Sequence, residues 1–277
     1  LSRDLDLSGL FRILDPASFI DDPQTSGTTA EDINFGNWAT VGARVLVKGQ
    51  IDASGDEVTI EARLFDVAER RQLGGKRYQG SRRDARRMAN RFADEVMRLL
   101  TGERGPFDTR IAFVSTRGGR AKEIYDTGFD GDDVRQLTQN GTINLSPAWS
   151  PDAAQLLFTS FKDRRPKLYE IDVASGRQRL LLAGPGLTIG GRFSPNGRTI
   201  AVSREETKGN SEILLTDDNG EVLRNVSNNE GIDVSPTWSP DGRRLAFCSA
   251  RGGSPQIYTV DLDGGGTRRL TSSGSYN

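Results

Sequence analysis

The chain has 277 residues, with 37 basic and 38 acidic side chains, a net charge of −1 and no histidine. That balance leaves no overall electrostatic footprint for a nucleic acid, and the missing imidazole excludes a Ser-His-Asp triad and the commonest metal ligand. The single cysteine, Cys248, cannot form an internal disulfide and sits in the apolar stretch "LAFCSA", which reads as a strand.

The opening "LSRDLDLSGLF" reads as the tail of a helix; it has neither a basic leader nor a cleavage pattern, and no apolar run in the chain approaches the ~20 residues of a membrane helix. "ARVLVKGQI" (Ala43–Ile51) and "EVTIEARLFDV" (Glu57–Val67) alternate in hydropathy around the turn "ASGDE", and "LGGKRYQG" follows as a third extended segment. A meandering sheet is expected. From Arg82 to about Leu100, Met88, Ala89, Phe92, Val96 and Leu99 recur at helical spacing, with Ser81 and Asp84 as a cap and Gly102 as the stop. The basic run "SRRDARRMANR" is then the solvated face of that helix. Residues 1–104 therefore read as a small α/β domain.

From Arg110 the period changes. Ser-Pro-Asp/Asn triplets begin at Ser150, Ser194 and Ser239, 44 and 45 residues apart, and "RIAFVSTRGG" matches "RLAFCSARGG" as a further copy. Four copies of about 44 residues, each carrying several short strands, are the sign of a β-propeller over 105–277. The proline presets a tight turn, Asp or Asn bonds back to the backbone, and Gly follows in two of three copies, Ala153 being the departure. Trp149, Phe193 and Trp238, ahead of each turn, are expected to pack between neighbouring blades.

No nucleophile elbow, Walker loop or dinucleotide fingerprint occurs, and no cofactor is implied. "DTGFDGDDVRQL" from Asp126 departs from a calcium loop at Gly128 and Leu137, so a hairpin turn is the better reading. The chain reads as a non-enzyme.

The α/β domain, the linker "TGERGPFDTRIAFV" and the blades with "SPAWSPD", "PTWSPDGRRLAF" and "YTVDLDGG" together resemble the TolB family of the bacterial Tol-Pal system. The resemblance covers essentially the whole chain and implies a periplasmic, non-catalytic, monomeric interaction protein. Its six-bladed propeller would bind the Pal lipoprotein at one mouth, supporting outer-membrane integrity and cell division. An N-terminal segment would engage TolA, and some colicins would exploit the same protein. With four blades of the family's six visible, and that TolA segment not seen, a fragment of a longer protein is expected. The resemblance places the Pal-facing residues just before the aromatics: Leu187, Gly190 and Val234, with Leu145, Thr188 and Asp233 added by repeat symmetry. Ser-Pro-Asp-Gly propellers also occur beside prolyl-oligopeptidase-like catalytic domains and in carbohydrate-binding proteins, and both alternatives stay open on sequence.

Overall fold

Two adjacent residues of one strand, Leu64 and Phe65, are both wholly buried, which requires cover on both faces of their sheet. In the computed structural model, which describes residues 1–22 and 25–274, that sheet is the antiparallel meander β1 (Val45–Ser54), β2 (Glu57–Asp66) and β3 (Arg71–Ser81), with β2 central. One face is covered by α3 (Ala85–Thr101), whose Phe92, Ala93 and Val96 pack with Leu64 and with Leu5 of α1 (Ser2–Leu7). The other is covered by α2 (Phe35–Thr40) and its flanks, where Ile33, Phe35 and Trp38 pack on Phe65 and Leu46. Sequence reasoning placed no element there, because six residues are too few to display a helical period.

Ser81 and Asp84 form the expected cap, with the Ser81 hydroxyl donating to Asp84 at 2.6 Å. The cap closes a 3-10 turn, Arg82–Asp84, from which α3 continues. Gly102 ends α3 in the left-handed region at φ 82°, and its N–H donates to the Arg98 carbonyl.

The chain divides into two compact units, Leu1–Ile111 with Thr127–Asp133, and Ala112–Asp126 with the residues from Val134 onward. The acidic stretch at 126–133 is a hairpin turn whose carboxylates are engaged by arginines. Asp126 pairs with Arg135 at 2.5 Å, Asp133 with Arg110 at 2.8 Å, and Asp130 and Asp132 with Arg86.

From Arg110 onward the chain forms antiparallel blades. The first has β4 (Arg110–Ser115), β5 (Glu123–Gly128) and β6 (Arg135–Gln136). The second has β7 (Asn144–Trp149), β8 (Gln155–Ser160), β9 (Lys167–Asp172) and β10 (Gln178–Leu182). The third has β11 (Thr188–Phe193), β12 (Thr199–Thr207), β13 (Asn210–Asp217) and β14 (Val222–Asn225). The fourth has β15 (Asp233–Trp238), β16 (Arg244–Ser249), β17 (Gln256–Asp261) and β18 (Thr267–Arg269).

Each Ser-Pro-Asp/Asn turn is closed the same way. The Ser150 hydroxyl donates to Asp152 at 2.6 Å and accepts from the Gln155 N–H at 2.9 Å. Ser194 with Asn196 and Ser239 with Asp241 repeat this. The fourth turn position is left-handed in all three, at Ala153 (φ 59°), Gly197 and Gly242. Trp149, Phe193 and Trp238 pack between blades as expected: Trp149 packs against a cluster that contains Ile124 of one blade and Phe158 of the next, and Phe193 and Trp238 pack against clusters drawn in the same way from two blades.

Candidate partner-binding face at the inner strands

The inner strands β7, β11 and β15 enter their sheets with an inside-out pattern. Their first residues, Asn144, Thr188 and Asp233, are polar and wholly buried. The residues just before them, Ile143, Leu187 and Ile232, are aliphatic and 41%, 45% and 49% exposed. The residues just after, Leu145, Ile189 and Val234, are also apolar and at least partly exposed. Aliphatic side chains kept in water beside polar ones taken out of it run against the usual sorting of a water-facing surface.

Backbone geometry explains the pattern. Each inner strand is bulged, its register slipping between Leu145 and Ala148, Ile189 and Arg192, and Val234 and Thr237. The bulge residue is left-handed each time, at Ser146 (φ 55°), Gly190 (φ 70°) and Ser235 (φ 57°). A bulge re-aims the side chains before it. Its N–H is then free to reach the preceding blade: Gly190 donates to the Thr159 hydroxyl and Ser235 to the Ser203 hydroxyl, both at 3.1 Å.

Two of these buried polar residues, Asn144 and Asp233, are structural anchors. Asn144 donates to the Glu123 carboxylate at 2.8 Å and to the Lys122 carbonyl at 3.0 Å. Asp233 accepts from Arg251 at 3.0 Å, and Arg251 in turn lies over the Phe247 and Tyr258 rings. Burial pushes the Asp233 carboxyl above its ordinary value, opposed by the Ser249 hydroxyl and the Arg251 cation.

The loops leading to the inner strands are latched from behind. The Thr138 hydroxyl donates to Glu123 and accepts from the Ile124 N–H, and Glu123 also accepts from Gly141. Ser227 and Glu212 repeat this, with Asn229 N–H in place of Gly141, and Thr271 repeats it with Gln256. The second blade has Lys167 and Leu182 in these places and no such latch. The loop before β11 is instead held from the following hairpin, where Glu205 accepts from the Leu187 N–H at 3.0 Å and from Gly209 at 2.9 Å. Those two backbone donors, Gly209 first, hold the Glu205 carboxyl below its ordinary value.

Of the six residues singled out from sequence, Leu187, Gly190 and Val234 line one cleft of ≈ 280 Å³. Leu145 stands beside it through its neighbour Ser146, while the side chains of Thr188 and Asp233 lie beneath the surface. Sequence reasoning missed Ile143, Ile189, Ile232 and Arg192. Stacking the repeats by their Ser-Pro triplets puts Ile143, Leu187 and Ile232 in one aliphatic column, which is the signal that would have found the outer ring.

The TolB amino-terminal domain model matches residues 1–73, and the TolB beta propeller domain model matches residues 97–277. The chain belongs to the TolB family. It is 39% identical over 253 residues to a TolB homolog of Chlorobium chlorochromatii, covering 91% of this chain and 56% of that protein. It is 41% identical over 231 residues to the Tol-Pal system protein TolB of Desulfosudis oleivorans, covering 83% and 52%. The chain thus spans little more than half the length of these curated relatives. The crystal structure of TolB from Acinetobacter baumannii matches with a TM-score of 0.87 at 30% identity, over 100% of this chain and 68% of that one. Among the described residues no helix is long and apolar enough to cross a membrane.

Proposed function

We propose that this TolB-family chain is a non-catalytic, periplasmic interaction protein of the Tol-Pal system. It holds the Pal lipoprotein on the face where β7, β11 and β15 begin, and so supports outer-membrane integrity and cell division. The observation that carries this reading is the threefold inside-out pattern, exposed Ile143, Leu187 and Ile232 beside buried Asn144, Thr188 and Asp233. Exposed aliphatic side chains recurring at the same place in three blades mark a surface that a protein partner would cover. The cleft offers hydroxyls and a guanidinium, with no carboxylate or imidazole lining it to activate them, which fits recognition rather than catalysis. TolA, reached through the amino-terminal side of the first unit, and colicins are further partners proposed on the family likeness alone.

The test is calorimetric titration of the chain with the soluble domain of Pal. Leu187→Asp with Ile232→Asp is expected to weaken binding by about tenfold or more. Leu223→Asp, on a β14 side chain that is 58% exposed, is expected to leave it unchanged. Equal affinity for wild type and the double variant removes this face from the interface.

A further inference from the structure

Arg192 occupies an inner-strand column that holds Ala148 in β7 and Thr237 in β15. An arginine there is the largest departure from repeat symmetry on this face. Among the described residues its guanidinium makes one hydrogen bond, from Nη1 to the Gly191 carbonyl at 3.0 Å, and no ion pair. Burial pulls its pKa below the ordinary value, and no acidic group lies near enough to restore it; a guanidinium nonetheless stays charged in a protein. A half-buried cation with four unused N–H donors is costly unless something pairs with it.

The other polar side chains of the cleft are hydroxyls, each able to donate one hydrogen bond. The hydroxyls of Ser146, Ser203, Ser211, Ser235 and Thr237 line it together with Arg192. Ser203 already accepts from the Ser235 N–H at 3.1 Å, which leaves its hydroxyl proton available to a ligand. We infer that Arg192 is the floor of a carboxylate-binding subsite, filled by one aspartate or glutamate side chain of the protein partner docked on this face. A single guanidinium balances a single negative charge, and its planar fork matches a carboxylate. The apolar rim of Leu187, Ile189 and Val234 suits an acid set among aliphatic residues on a protein, and excludes the water that would weaken the pair. This inference rests on the partner-binding reading given above.

Two measurements test it. In the first, acetate is titrated into the labelled chain at constant ionic strength, and the Arg192 Nε–H resonance, assigned with Arg192→Lys, is followed by NMR. A saturable shift exceeding that of the exposed Arg198 is expected; a shift no larger than that of Arg198 overturns the subsite. In the second, affinity for the soluble Pal domain is compared among wild type, Arg192→Met and Arg192→Lys, with thermal melts confirming that each variant is folded. Methionine is expected to weaken binding about tenfold to a hundredfold, and lysine less. The methionine variant should also make one Asp→Asn or Glu→Gln substitution in Pal silent. An acetate response with unchanged affinity in Arg192→Met overturns the assignment to the partner's side chain. Absence of any Pal binding by the wild-type chain defeats the functional reading, and the acetate arm still decides whether Arg192 receives a carboxylate.

Discussion

In the first unit the core hangs on one strand: Leu64 on one face of β2 and Phe65 on the other are wholly buried, and each packing role is filled once. In the second unit each role is filled repeatedly, by Trp149, Phe193 and Trp238 between blades and by three Ser-Pro-Asp/Asn turns with the same hydrogen bonds. A role filled once can be understood only through its own contacts. A role filled three times supplies its own control, so exceptions such as Arg192, Ala153 and Lys167 stand out as positions where something other than the blade fold decides the residue.

The largest expected effect tests the unrepeated core. Phe65→Ala should destabilise the first unit by about 3–5 kcal/mol in a denaturant titration, and a loss below about 1 kcal/mol would break the claim that β2 carries it. Next comes the latch of the repeated unit. Glu212→Ala leaves the Ser227 hydroxyl and the Asn229 N–H without their acceptor, at a cost of about 1–3 kcal/mol. Lys167→Ala, at the matching position of the blade without a latch, should cost much less. Equal losses at the two positions would mean that the latch contributes nothing beyond ordinary side-chain packing.

The two units also differ in the sign of their pH dependence at single aspartates. Burial alone would raise the Asp130 carboxyl, but the Asp132 N–H and the Arg86 and Arg3 guanidiniums outweigh it and leave it below its ordinary value. Its contribution is therefore complete above the usual aspartate range near about 4 and is lost as pH falls through the lowered folded value. Asp233 is raised by burial, so the folded state favours its protonated form and its cost grows as pH rises from the ordinary value through the raised one. Asp130→Asn should flatten the acid limb of a stability profile, and Asp233→Asn should change it in the opposite direction. A shift of the same sign in both would contradict the assignment.

The smallest effect sharpens the comparison among turns. Ala153 holds a left-handed conformation that Gly197 and Gly242 hold without a Cβ, so Ala153→Gly is expected to stabilise the unit by about 0.5–1 kcal/mol in thermal unfolding. A destabilisation would mean that the Ala153 methyl is packed.

The change from one helix and a meander to a 44-residue repeat was legible because both periods are written in local residue types, and the turns because each conserved role is a hydrogen bond within five residues. Other features depend on distant partners. Thr188 and Asp233 look like surface residues until Pro166 and Arg251 are brought beside them. Ser146 and Ser235 give no hint of a positive φ, since serine, unlike Gly190, is ordinary in an extended strand. Ile143 and Ile232 read as loop residues, because the bulge that turns them outward lies downstream of them.

The central claim is that the entries of the inner strands are where the partner docks. Amide hydrogen exchange of the chain with and without the soluble Pal domain tests it most directly. Added protection confined to residues 143–146, 187–190 and 232–235, with the first unit and the outer strands β10, β14 and β18 unchanged, is the predicted result. Protection of the outer strands or of the first unit, with the inner-strand entries exchanging as before, would contradict it.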